Sequence, residues 1–250
     1  MISRRAFVAS AASSSGFVVS GCDRLHRSEG FRGVLRSAER LTMKAQRVLV
    51  DRDDLAREYS ESDMSPVFRS NGTRFPDTVE YAQHVAQAFT NWRLTIDGLV
   101  RHPLSLPLAA VRSMPSRTQI TRHDCVEGWS AIGKWHGVPL ANLLDLAGLR
   151  QSARYIVLHC ADRFGAVPYY ESIDLVDALH PQTILAWAMN GALLPVPNGA
   201  PLRLRVERQL GYKHAKYVHR LQAVATLGSV YGGRGGYWED HADYEWYAGI

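Results

Sequence analysis

The chain has 250 residues, 46% of them hydrophobic and 10% aromatic, enough for an ordinary globular core and too apolar for wholesale disorder. Lys and Arg number 29 against 24 Asp and Glu, a small and dispersed excess that, with no basic block or recognition motif, argues against nucleic acid as a partner. No apolar run reaches the roughly 18 residues of a membrane-spanning helix. Three cysteines, Cys22, Cys125 and Cys160, with no CxxC or CxxCH pattern, exclude a disulfide framework and covalent haem attachment.

The N-terminus reads as an address. Ser3-Arg4-Arg5-Ala6-Phe7-Val8 has the twin-arginine pattern, an apolar stretch runs from Phe7 to Val19, and Val19-Ser20-Gly21-Cys22 sets small residues before a cysteine, as a lipobox does. Residues 1–21 are therefore expected to be an export signal, leaving a periplasmic protein anchored to a membrane by lipid on Cys22. The alternative is an ordinary apolar segment with a chance arginine pair. Twin-arginine export moves folded proteins, many of them loaded with a cofactor beforehand, which favours a redox enzyme.

Residues 22–60 form an anchor-proximal segment. Phe31, Val34, Leu35, Ala38, Leu41, Ala45, Val48 and Leu49 recur at helical spacing, with charged residues between them. This amphipathic helix can lie on the membrane, but packing on its own domain is the favoured reading. The main domain is expected over 61–250. Pro66, Asn71-Gly72 and Pro76 mark a loop. Trp92 to Ile96 reads as a strand that turns at Asp97-Gly98, and Leu140 to Leu149 as a short helix between Pro139 and Gly148. Tyr155 to Cys160 reads as a buried strand, and Ser172-Ile173-Asp174 as the cap of a brief helix to Leu179. Asn190-Gly191 predicts a hairpin. Leu202, Leu204 and Val206 alternate with Arg203, Arg205 and Glu207, and Val218 to Leu227 supplies a last strand. Short strands with interspersed helices imply a mixed α+β domain, not a βαβ repeat.

The chemistry centres on Cys125, in Thr121-Arg122-His123-Asp124-Cys125-Val126-Glu127-Gly128-Trp129-Ser130. A thiol just after a strand, with Arg122 and His123 close in sequence, is favoured as thiolate if those groups are also close in space. That suits a soft metal ligand or a nucleophile with His123 or His159 as base. A small buried hydrophobe is the third reading. Spacing alone does not choose among them.

The surrounding motifs do. Arg122-x-x-Cys125-Val126-Glu127-x-Trp129-Ser130, then Trp135-x-Gly137-x-Pro139-Leu140, resembles the segment around the molybdenum-binding cysteine of the sulfite oxidase superfamily of molybdopterin enzymes. The likeness is greatest to periplasmic methionine-sulfoxide reductase catalytic subunits. Asn198-Gly199-Ala200-Pro201-Leu202-Arg203-Leu204 and Gly211-Tyr212-Lys213-x-x-Lys216 match later motifs in the same order, as do Ala178-x-His180-Pro181-x-Thr183 and Gly191 with Leu194-Pro195. The resemblance spans about residues 90–227 and implies a sulfite-oxidase-type molybdopterin-binding fold of mixed sheets and short helices. It implies that Cys125 ligates molybdenum beside the pterin dithiolene. Asn198, Arg203, His214, Ala215 and Lys216 would hold the pterin and its phosphate, the last three partly through backbone N–H groups. Arg122 would direct positive charge at an oxygen next to the metal. Tyr169, Tyr170 and Trp129 are candidates for the pocket wall.

Cys160 stands where the family has a cofactor-contacting threonine, and a bond between it and Cys125 would remove the metal ligand, so no disulfide is expected. Ser65, Phe68 and Arg69 are the nearest matches to the N-terminal cofactor contacts. The chain leaves no room for the dimerisation domain of animal and plant sulfite oxidases, so a monomer is expected. With no haem motif and no iron–sulfur cysteine set, electrons are expected to come from an external haem protein or cytochrome. The reading is oxygen-atom transfer at molybdenum–molybdopterin, reducing a small or protein-bound S- or N-oxide. A sulfite dehydrogenase, a Cys-dependent hydrolase and a non-catalytic binding lipoprotein are the alternatives.

Overall fold

The structure, a computed structural model, describes residues 28–250; the signal segment and Cys22 lie outside the described residues. The chain divides into two compact units at Leu49/Val50. Helix α1 (Glu29–Leu49) belongs to the first. Along its apolar stripe Val34, Leu41 and Val48 are 63%, 67% and 85% exposed.

Residues 50–60, grouped by sequence with the helix, pair into the second unit. The Tyr59 N–H donates to Ile120 O at 2.9 Å, Glu58 bridges Thr121, and the Gln182 amide clasps Ala56 through both its oxygen and its nitrogen. In chain order the unit's elements are α2 (Val79–Ala86), β1 (Arg93–Gly98), β2 (Leu104–Pro107), α3 (Leu108–Ser113), β3 (Arg117–Asp124), β4 (Ser130–Pro139), α4 (Leu140–Ala147) and β5 (Tyr155–Phe164). Then follow β6 (Val167–Asp174), α5 (Leu175–Ala178), β7 (Ile184–Met189), β8 (Ala192–Leu193), β9 (Arg203–Arg205), β10 (Val218–Val224) and α6 (Tyr237–Ala242).

Two five-stranded sheets result. One has the order β2-β1-β10-β5-β6, with β1 and β10 parallel and the other neighbours antiparallel; the other has β3-β4-β7-β8, with β9 also paired to β7. Helix α4 forms as its apolar spacing predicts. Leu140, Leu143, Leu144 and Ala147 recur at three- and four-residue steps and are fully buried, and Gly148 ends the helix in the left-handed region, its N–H bonded to Leu144 O and Asp145 O. The Asn190-Gly191 turn has positive φ at both residues, the geometry that a two-residue hairpin requires. The main core joins Leu94, Ile96, Val138, Ile156, Leu158, Leu202, Leu204, Val218 and Leu221 with the helices. Trp135 centres a smaller cluster with Ile184, Ala186, Met189 and Leu194, against which Phe68 packs.

Beside Gly137 the pairing of β4 with β7 slips register, and a Cβ at Gly137 would stand 2.1 Å from Leu185 O. Gly137→Ala is expected to lower unfolding free energy by about 2 kcal/mol or more, read as a reduced urea midpoint.

Candidate functional site

Cys125 follows the last residue of β3 and opens a tight loop to β4. Its N–H donates to Trp129 O at 2.9 Å, the Gly128 N–H returns to Cys125 O at 3.0 Å, and Gly128 takes positive φ. The thiol lines a cavity with Asn71, Gly72, Thr73, Asp162, Arg203, His214 and Lys216. Asn71 Nδ2 donates to Cys125 Sγ at 3.2 Å.

Beneath the thiol lies positive charge with little to balance it. Arg205 is neutralised by Glu207 in a two-pronged pair, Nε to Oε1 at 3.0 Å and Nη2 to Oε2 at 2.6 Å, both side chains fully buried. Its remaining Nη1 meets His123 Nδ1 at 3.0 Å, and its guanidinium lies 4.3 Å from the Trp135 ring centroid. Arg203, on the same short strand and 2% exposed, donates to the carbonyl of Asn198, and its Nε has no partner among the described residues. The sequence alternation placed both arginines opposite the apolar residues, as on a solvated face. All three residues of β9 are buried instead.

Lys216 Nζ, like Arg203, faces carbonyls: Asn71 O at 2.7 Å, Pro197 O at 3.1 Å and, closest, Thr73 O. Burial, reinforced by Arg203, pushes its pKa down to about 7. Burial and then the neighbouring charges hold both His123 and His214 well below the usual histidine range, so both are neutral. His123 accepts from Arg205 at Nδ1, so its proton sits on Nε2, which is buried and unpartnered among the described residues, as is Asn198 Nδ2. Buried donors and cations without acids suit an anionic ligand rich in acceptor atoms.

Cys125, Arg203, His214 and Lys216 line this cavity. Asn198 stands behind it through its bond to Arg203, and the His214 and Ala215 N–H groups are spent on Gly211 O and Lys213 O. Cys160 lies on β5 but lines a separate groove with Trp92 and His219. An irregularity in the β5–β6 pairing between His159 and Arg163 accompanies the change, and Asp162 is the strand residue that reaches the cavity. Arg122 alternates to the exposed side of β3 and pairs with Asp124 at 2.9 Å, away from the cavity lining. The thiolate-favouring neighbours expected for Cys125 are thus turned away or neutral, and burial pushes its thiol up. Ser65 and Arg69 line a third groove with Trp129, and Phe68 packs edge-on against Trp135 and Trp129.

Asn71, Thr73 and Asp162 escaped the sequence reading. Asn71-Gly72 showed only as a turn, and Asp162 followed a strand assigned to end at Cys160. Asp162 is 3% exposed, accepts from the Thr73 side chain, and has its carboxyl pushed up to about 6 by burial. The outer wall is aromatic: Phe164, Tyr169, Tyr212, Trp238 and Tyr244, with Tyr169 OH donating to Tyr212 O at 3.0 Å. Trp238 and Tyr244 come from the C-terminal segment beyond the last expected strand. Tyr170 stacks on Tyr231 instead.

Asp162 and Lys216 make opposite contributions to the pH dependence of the ligand-free protein's stability. From 3.8 to about 6 the folded chain holds a proton at Asp162 that the unfolded chain has lost, so stability falls as pH rises. From about 7 to 10.5 the unfolded chain holds a proton that folded Lys216 has lost, so stability rises with pH. In urea denaturation across pH, the difference in stability between the parent protein and Asp162→Asn is expected to change from pH 3.8 to about 6, and that between the parent protein and Lys216→Met from about 7 to 10.5.

Residues 81–228 match the model of the oxidoreductase molybdopterin binding domain. A protein of Azospira oryzae, provisionally named a protein-methionine-sulfoxide reductase subunit, is 37% identical over 247 residues, 98% of this chain and 87% of that one. Protein-methionine-sulfoxide reductase catalytic subunits of Ralstonia nicotianae and Gluconobacter oxydans are each 35% identical over 53% of this chain. The aligned region spans 44% and 47% of those two relatives. Among solved structures, the sulfane dehydrogenase SoxCD of Paracoccus pantotrophus aligns with a TM-score of 0.52 and 25% identity, covering 56% of this chain and 40% of that one. Together with the cavity, these likenesses establish that the chain belongs to the molybdopterin-binding oxidoreductase family.

Proposed function

We propose that the chain reduces an S-oxide, with methionine sulfoxide in proteins as the substrate class, at a molybdenum ligated by Cys125. Bound there, molybdenum–molybdopterin supplies the two-electron chemistry of oxygen-atom transfer. The observation that carries this reading is a single cavity thiol in one lining with buried Arg203 and Lys216, whose hydrogen bonds go to carbonyls and not to acids. Arg203, held by Asn198, and Lys216 are the groups to grip the pterin phosphate, and Arg203 offers its unpartnered Nε. Asn71 orients the sulfur through its amide. Asp162, its carboxyl pushed up to about 6 by burial, keeps its proton to a higher pH than an exposed carboxyl does, inside a site lined by aromatic rings. Those rings exclude water and suit a sulfur-bearing side chain. In this reading a separate haem protein or cytochrome is the electron donor. The relative named as a subunit supports the same arrangement. Arg4-Arg5 and the run ending at Cys22 support twin-arginine export and a lipid anchor in the periplasm.

A Cys-dependent hydrolase fits poorly. The bond recorded at Cys125 Sγ comes from Asn71, not a histidine, and His159 is bonded to Tyr231 and Gln222.

Protein made in a cofactor-producing host is expected to hold about one molybdenum and one pterin per chain and to reduce methionine sulfoxide with an artificial electron donor. Arg203→Met is expected to lower bound pterin about tenfold, and Cys125→Ala to abolish turnover. Folded protein without molybdenum would overturn the reading. Sulfite oxidation, the alternative reaction, is the control; if it outpaces sulfoxide reduction, the direction is reversed.

A further inference from the structure

Helix α1 presents an apolar stripe to solvent. Phe31, Val34, Ala38, Leu41, Ala45 and Val48 follow one another at three- and four-residue steps, and Leu49, 83% exposed, widens the stripe at its C-terminal end. On the other side of the helix stand Arg40 and Arg47, Lys44 borders the stripe, and in the whole helix Lys and Arg outnumber Glu five to two. Glu29 begins seven residues after Cys22.

A solvent-facing stripe of this size calls for a cover. Two copies wound together would need knobs along the seam and opposite charges beside it. One of the two seam rows holds Ala38 and Ala45, and Ser37, Thr42, Lys44 and Leu49 flank the seam with no acid to pair with the lysine. A lipid surface asks for neither feature. It takes a shallow apolar face into the boundary between headgroups and acyl chains, and its anionic headgroups attract a basic opposite face. At 21 residues the helix is about 30 Å long. Lying in the plane of the surface therefore spreads these contacts over several lipids.

We propose that α1 is an interfacial helix that binds anionic bilayer surfaces through its own apolar stripe and basic face, without help from an acyl chain. The proposal does not rest on the cofactor chemistry.

The test uses holoprotein carrying Cys22→Ser, which has no acylation site, and cosedimentation with vesicles of phosphatidylcholine alone or mixed with phosphatidylglycerol. Binding is expected to be at least about tenfold tighter to the anionic vesicles and to weaken with salt. Leu41→Glu with Val48→Glu is expected to weaken it about tenfold or more while leaving sulfoxide reduction in solution unchanged. Arg40→Gln with Lys44→Gln is expected to remove most of the preference for anionic lipid. Equal or absent binding to the two vesicles, or full binding by the Leu41→Glu/Val48→Glu protein, would overturn the proposal. So would a solution dimer that the same two substitutions convert to monomer, because the stripe would then belong to a second copy.

Discussion

Positive charge buried without its counter-charge is the constraint around which the cavity is built. Arg203, Arg205 and Lys216 reach the interior from adjacent elements, and the pair with Glu207 neutralises one of them. The others are met by carbonyl oxygens, which satisfy hydrogen bonds but carry no net charge. Asp162, the buried carboxyl on this wall, is itself pushed towards its neutral form. An anion entering the cavity therefore adds more than contact. It supplies the charge missing from the fold, and its affinity and the stability of the folded state are linked quantities.

The scaffold that tolerates this excess is stiff where it matters. Lys213, in the turn beside His214, is buried between Glu171 of β6 and Glu239 of α6, bonded to Glu239 at 2.7 Å and still more closely to Glu171. The two carboxyls crowd one ammonium, and burial followed by the neighbouring Glu239 pushes Glu171 well up. A Cβ at Gly236 would stand 2.1 Å from Glu239 Oε2, and one at Gly211 would meet the His123 ring at 2.6 Å. Both glycines serve close approach. Through the triad the C-terminal segment is fastened to the turn that carries His214 and Lys216, and it brings Trp238 and Tyr244 to the cavity rim.

What was legible in the sequence follows from how local each signal is. Helix α4, the Asn190-Gly191 hairpin and the Asp174 cap depend on a few adjacent residues, and all formed near their expected bounds. The motif around Cys125 and the cationic residues Arg203 and Lys216 were legible through resemblance, although alternation alone placed Arg203 on a solvated face. Arg122 lies off the cavity lining because proximity in sequence does not decide which face of a strand a side chain takes. Cys160 lines another groove, and a break in strand pairing, invisible in a residue pattern, accompanies the turn of Asp162 to the cavity. Asn71 and Trp238 arrive from segments remote from Cys125 in sequence, and only tertiary structure brings them there.

One pairing bears on how the molecule is made. Strand β1 lies between β2 and β10, and its partner in register is distant: Thr95 faces Arg220. Strand β10 also separates β1 from β5, so residues 218–224 are the central plank of that sheet. Until they leave the ribosome, β1 and β5 stand as open apolar edges with no neighbour on that side. The nascent chain is thus obliged to wait for nearly its whole length before this sheet can close, and during that wait it is a natural client for a chaperone.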